Sequence, residues 1–259
     1  MTGLEIIALA VSGGVAGMVN AVAGGGTLIT FPALLLVGTP ALVANATSTL
    51  ALVVGTVGSV FGYRRQIAEV KPWLKRFLPV SLLGGLLGSI LLTHTRESVF
   101  AGMVPFLLLF ATFMFLLQGV FRKLAGSVDG AGAGATRGHK AVWAAVGFQF
   151  LVALYGGYFG AGIGILMLAS LGFLGLTDIH QMNTVKTILG SMINLVAAGY
   201  FIGAGLIDWQ KAGIMTVGAL AGYFLGAHFS QQIPQRRVRQ IITGIGFVIT
   251  AVLFYRQFR

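Results

Sequence analysis

Apolar runs of about twenty residues, parted by short basic or glycine-rich stretches, set the pattern of this chain. The first run, Leu4–Val37, is interrupted by Gly24-Gly25-Gly26. As one helix at about 1.5 Å per residue it would measure about 51 Å, too long for one crossing of about 30 Å and short for two. The spacing predicts a span plus a half-helix, or two short half-spans meeting at the glycines. Further apolar segments are expected at Ala41–Gly62, Phe77–Leu92 and Val99–Phe121. Between the second and third, a basic loop over 63–76 is predicted, carrying Arg64, Arg65, Lys71, Lys75 and Arg76, with Pro72 and Trp73 marking an interface. A Gly/Ala-rich stretch, Arg122–Lys140, predicts a flexible linker. Ala141–Leu176 is again glycine-broken, and Met182–Ile207, Ala212–Phe229 and Gln240–Tyr255 complete the set, the last preceded by Arg236, Arg237 and Arg239.

The pattern occurs twice. Asn45 to Asn183 is a step of 138 residues, and the same step carries Gly84 to Gly222 and Gly88 to Gly226. With that step, Ala23-Gly24-Gly25-Gly26-Thr27 falls on Ala161-Gly162-Ile163-Gly164-Ile165. The expected organisation is a first membrane repeat at 1–121, a cytoplasmic linker at 122–140 and a second membrane repeat at 141–259. A duplicated, glycine-broken apolar segment followed by a polar-headed one is what membrane transporters use at their core.

Composition confirms the class. Hydrophobic residues make up 56% and charged residues 9% of the 259, against about 25% charged in soluble domains. The mean hydropathy is +0.91. The fold class expected is an all-α polytopic membrane protein with two homologous halves, inverted with respect to each other, each opening on a broken or re-entrant helix. The strand alternation of a barrel is absent. With no cysteine, disulfides and thiolate sites are excluded. The net charge of +11 belongs to loop lysines and arginines that anchor topology, so nucleic acid is not an expected partner. Charge counting gives the same division, twelve basic residues against four, whether the first segment of each half crosses once or re-enters. Either way the 63–76 loop and the linker lie in the cytoplasm. An odd number of crossings per half, hence inverted halves, suits alternating access.

Candidate chemistry lies at the breaks and at the segment heads. Unwound backbone at membrane depth exposes N–H groups, and the start of a half-helix favours an anion. Gly24, Gly25, Gly26 and Thr27 are candidates in the first half, with Gly160, Gly162 and Gly164 opposite. Asn183, Lys186, Thr187, Gly190, Ser191 and Asn194 share one helix face, and Asn45, Thr47 and Ser48 head the equivalent segment. Lys186 is the basic residue set inside an apolar segment; a buried ammonium marks a pathway or a paired charge, with snorkelling to the headgroups as the bland alternative. Asp178 is a candidate partner for it, otherwise a loop residue. His228 is a candidate proton relay, more simply explained as a packed or lumen-facing residue at a helix end. None of the six acids falls mid-span. Metal-ligand spacings, a phosphate loop and a nucleophile elbow are absent, so no catalytic residue, metal or cofactor is expected.

Gly17 through the glycine run to Pro32, Ala44-Asn45-Ala46-Thr47-Ser48, Tyr158-Phe159-Gly160-Ala161-Gly162-Ile163-Gly164, Asn183-Thr184-Val185-Lys186 and the Gly84 and Gly222 segments resemble the TauE/SafE family of membrane permeases, also called the toluene-sulfonate uptake permease family. The resemblance covers nearly the whole chain except the linker. Ser170 stands where the first half has Pro32, so the halves are not equivalent. The resemblance implies transport of sulfur-containing anions, sulfite or sulfonates, across a bacterial inner membrane by a multi-pass protein. Members are similar in fold and dissimilar in substrate. The expectation is a permease that binds a small anion near mid-membrane, with Lys186 supplying charge and Asn45, Thr47, Ser48, Asn183 and Thr187 supplying hydrogen bonds. An anion channel, or a carrier of another small anion such as a carboxylate, is the alternative. A homodimer, and coupling to protons or another ion, stay open.

Overall fold

The computed structural model describes residues 1–22, 24–62, 66–126, 139–173, 176, 178–229 and 235–257. These form ten helices: α1 Gly3–Val22, α2 Thr27–Leu36, α3 Ala41–Gly62, α4 Ile67–His94, α5 Glu97–Gly126, α6 His139–Tyr158, α7 Ile163–Phe173, α8 Ile179–Gly203, α9 Trp209–Phe229 and α10 Gln235–Gln257. Among the described residues there is no strand. Six of the helices (α1, α3, α4, α5, α8 and α10) hold stretches long and apolar enough to cross a membrane. Large apolar side chains point outward: on α9, Val217 is 72% and Phe224 76% exposed. Such faces suit lipid and not water.

The tightest packing is backbone against backbone. A Cβ on Gly17 would strike the carbonyl of Ala219, and one on Gly222 the carbonyl of Gly14, so α1 lies directly on α9. In the same way Gly88 abuts the carbonyl of Leu154 and Gly157 that of Gly85, seating α6 on α4. Lipid-embedded helices lack a hydrophobic drive toward one another, and small residues let dispersion and close approach replace it. The contacts advance together along both pairs, Ala10 with Gly218 and Gly14 with Gly222, Phe150 with Gly84 and Leu154 with Gly88. Each pair is therefore parallel, and the first helix of each half packs on a helix of the other half. Phe31 of α2 meets Phe159 edge-on at 5.4 Å, adding an aromatic contact across the halves.

Segment one is a full-length helix followed by a ten-residue one, as the spacing predicts; segment five is α6 followed by the eleven-residue α7. Three expectations need correction. The stretch 67–76 is not loop but the first turns of α4. Val70 and Phe77 are buried and Trp73 and Leu74 half-buried, while Lys71, Lys75 and Arg76 are exposed. The charges lie on the outer face of a helix whose inner face keeps the three-to-four spacing. Trp73 stacks on Phe77 within that helix. Arg236, Arg237 and Arg239 likewise fall inside α10 rather than before it. Helices also enter the expected linker from both sides, α5 ending at Gly126 and α6 beginning at His139, while 127–138 lie outside the described residues.

The third correction concerns register. Helices α1 and α6 end at Val22 and Tyr158 and α2 and α7 begin at Thr27 and Ile163, and Gly24 and Gly160 both donate their N–H to the carbonyl five residues back, Val19 and Tyr155. Gly26 and Gly162 both accept from the residue three ahead, Ile29 and Ile165. The breaks thus correspond by a step of 136 (24 to 160), not 138. The two extra residues enter between α7 and α8, after which Ala41 and Ile179 open α3 and α8 at the step of 138.

Candidate functional site

Both breaks abut one turn of α5. A Cβ on Gly25 would overlap the ring of Phe115, and one on Gly162 would lie 3.7 Å from the Cα of Ala111 and 3.6 Å from the Cβ of Met114. Glycine is needed at Gly24, Gly25, Gly160 and Gly162 in any case, because all four have positive φ. The two interruptions therefore meet inside the protein, where unwound backbone is tolerated.

The breaks are not equally satisfied. At the first, the N–H of Gly26 donates to Asn20 Oδ1 at 2.6 Å, and Asn20 Nδ2 donates to the hydroxyl of Tyr223 at 2.9 Å. Thr30 Oγ1 donates to the carbonyl of Gly26 at 3.2 Å and lies 2.6 Å from Ser48 Oγ. With the Thr30 proton so used, Ser48 is the donor of that pair. Side chains of α1, α2, α3 and α9 thus hold the first break at Gly26, while among the described residues none accepts a hydrogen bond from the N–H of Gly25 or Thr27. At the second, the hydroxyl of Tyr155 donates to the carbonyl of Ala161 at 2.8 Å. Among the described residues, none accepts a hydrogen bond from the N–H of Ala161, Gly162, Ile163 or Gly164.

Lys186 lies beside that open backbone. It occupies the position equivalent to Ser48, since 48 to 186 is the step of 138. A Cβ on Gly164 would stand 3.2 Å from Lys186 Cδ, so the lysine stem runs along the first turn of α7. Its Nζ donates to Asn183 Oδ1 at 3.1 Å. Among the described residues no carboxylate is within ion-pair distance of it; the ion pair present joins Lys211 and Asp208. Asp178 instead caps α8, its Oδ1 accepting from the N–H of His180 at 2.8 Å. The stem of a lysine that has no carboxylate partner among the described residues therefore runs beside the positive end of a helix. Asn194 Oδ1 lies 3.7 Å from where a Cβ on Gly160 would be, bringing the same face of α8 to the second break.

The remaining predicted residues are spread more widely. Asn45 is buried; its Nδ2 donates to the carbonyl of Tyr158 at 3.0 Å, two residues before Gly160, and its Oδ1 has no partner. Thr47 is turned elsewhere, accepting from the N–H of Asp208 at 3.1 Å. Thr27 opens α2 and Thr187 follows Lys186 on α8, both half-buried. Ser191, on the same α8 face, donates to the carbonyl of Thr56 at 3.0 Å and so joins α8 to α3. His228 is exposed in the last turn of α9. Sequence reasoning missed Asn20, Thr30, Tyr155 and Tyr223. Asn20 had a signal, a carboxamide in an otherwise apolar helix; the tyrosines had none, because their partners are set by packing.

Ten helices with large apolar side chains facing outward, and two glycine breaks, between α1 and α2 and between α6 and α7, that both abut α5, define an integral multi-pass membrane transporter. The chain belongs to the TauE/SafE family: the family described as Sulfite exporter TauE/SafE matches residues 9–253. It is 29% identical over 263 aligned residues to a probable membrane transporter protein of Haemophilus influenzae, covering 98% of this chain and 97% of that one. It is 30% identical to the probable membrane transporter protein ORF9 of Sinorhizobium sp, over 93% of this chain and 88% of the relative. The probable membrane transporter protein YfcA of Escherichia coli K12 is 24% identical over 93% of this chain and 86% of its own length. No solved structure gives a significant match.

Proposed function

We propose that this protein is a secondary carrier for a small sulfur-containing anion, sulfite or an organosulfonate, and not an enzyme. The observation that carries the reading is Lys186. It stands on α8 against the first turn of α7, with no carboxylate in reach and with open N–H donors beside it among the described residues. A charged side chain at mid-helix costs about 2.5–3.5 kcal/mol to insert, so an uncompensated one calls for a ligand of opposite charge. The family's description as sulfite exporters supports the sulfur anion. Two halves of opposite orientation fit the parallel pairing of α1 with α9 and of α6 with α4. In that arrangement α1–α2 enters from one face and α6–α7 from the other, and Gly160, Gly162, Gly164, Asn183, Lys186, Thr187 and Asn194 line the site. Gly24, Gly25, Gly26, Thr27, Asn45 and Ser48 frame it from the first half. The bacterial inner membrane is the setting that such a carrier implies.

The test is counterflow in proteoliposomes loaded with unlabelled sulfite, against sulfonate, thiosulfate and carboxylate. Saturable sulfite counterflow is expected, and Lys186→Met should weaken binding by about ten- to a hundredfold, the loss of one charge-assisted hydrogen bond. Movement of the carboxylate alone would overturn the sulfur assignment. Flux without saturation or counterflow would make the protein a channel.

A further inference from the structure

The end of the molecule where α3 and α9 begin carries a polar cluster that the anion site does not use. Asp208 precedes α9, and its Oδ1 accepts from the N–H of Lys211 at 3.1 Å. Lys211 Nζ lies 3.0 Å from Asp208 Oδ2 and donates to Thr39 Oγ1 at 2.9 Å. Thr39 is buried in the turn between α2 and α3. From the other side, the N–H of Asp208 donates to Thr47 Oγ1. The start of α9, in the second half, is thus fastened to the α2–α3 turn at Thr39 and to α3 itself at Thr47 in the first half.

The duplicated positions at the opposite end do not repeat this. By the step of 138, Asp208 and Lys211 correspond to Val70 and Trp73, and Thr47 to Val185. Val70 and Val185 are buried in one apolar cluster, with Trp73 packed against it. Apolar contacts shift by degrees; an ion pair with directed hydrogen bonds is either made or broken. We propose that Lys211, Asp208 and Thr39 form a latch that holds the carrier shut at this end, and that its release is the step that opens the path there. The proposal rests on the carrier reading above.

The chain has no cysteine, so a single introduced thiol reports cleanly. Ala44→Cys, fully buried on α3 beneath the latch, is the reporter, with Ala41→Cys as a second. Oriented proteoliposomes are treated with an impermeant maleimide from either face. Asp208→Asn keeps a capping side chain, and Lys211→Gln keeps length; both remove the ion pair. Each should speed labelling about two- to fivefold, from the latch face only, as loss of a partly exposed pair predicts. Lys211→Arg, which retains the pair, should label at the original rate. Unchanged labelling in both neutral variants, or an equal rise from both faces, overturns the latch. Sulfite counterflow in the same vesicles separates the two readings. Counterflow with unchanged labelling removes the latch alone, whereas no counterflow in the unaltered chain removes the carrier and the latch with it.

Discussion

Single side chains decide what each half can do. Ser48 and Lys186 stand at equivalent places, yet one completes a closed set of hydrogen bonds and the other leaves a charge open. Asn20 is the counterpart in the first half of what is missing in the second. It occupies the one N–H at Gly26 that would otherwise be buried unsatisfied, at a cost of about 1–3 kcal/mol. Asp208 shows the same logic at the surface end. Burial works against its charged form, but hydrogen bonds from Lys211 and the Lys211 charge outweigh it and hold the carboxyl below its ordinary value. The backbone N–H of Gln210 adds to that effect. A depressed folded-state value means that its contribution is complete above the ordinary carboxylate range and is lost as pH falls through the lower folded value. Maleimide labelling of Ala44→Cys, taken relative to a free-thiol reference at each pH because the thiolate is the reacting form, should therefore stay flat from neutral pH through the ordinary carboxylate range and rise only in stronger acid. A rise centred near neutral pH would remove Asp208 as the cause.

At the scale of elements, the broken helices were legible because length and glycine placement are local facts. A run too long for one span, cut by three glycines, has few other solutions in a bilayer. The beginning of α4 was hidden for a comparable reason: its charge density masked an amphipathic period that its buried face reveals. The pairing of elements was not legible, because it depends on which glycines lie against which carbonyls. A Cβ on Gly157 would overlap the carbonyl oxygen of Gly85, leaving no room for a side chain between α6 and α4. Gly157→Ala should push these backbones apart and destabilise the protein by about 1–3 kcal/mol, the usual cost of overpacking. Thermal unfolding in detergent checks this, with Gly147→Ala as control, since a Cβ there meets nothing within 4 Å. Equal melting of the two variants would show that α6 and α4 are not held at this contact.

For the whole molecule, charge and packing converge on one orientation. Thr184 Oγ1 donates to Gln66 Oε1 at 3.4 Å, so α4 and α8 begin at the same end. The cluster of Thr39, Lys211 and Asp208 puts the starts of α3 and α9 at the other, where Glu97 of α5 also takes the N–H groups of Ala41 and Leu42. The first end receives Lys71, Lys75 and Arg76 in the first turns of α4 and the end of α5 with Arg122 and Lys123. The positive-inside bias assigns that end to the cytoplasm. An exposed Lys71→Cys should then react with an impermeant maleimide only after lysis, and an exposed Ser98→Cys in intact cells. The opposite pattern would invert the orientation.

The amino-acid sequence by itself determined the class, the two breaks, the duplication and the odd placement of Lys186, because hydropathy, glycine spacing and a charge in an apolar run are properties of neighbouring residues. Tertiary structure decided the rest. It set the correspondence of the breaks at 136 residues through shared helix ends and hydrogen bonds. It turned Thr47 away from the breaks and toward Asp208, and it gave Gly26 at the first break a side-chain acceptor that the second break lacks among the described residues. Those outcomes depend on partners more than a hundred residues apart, such as Asn20 with Tyr223. No local pattern encodes which distant groups the packed helices bring within hydrogen-bond reach.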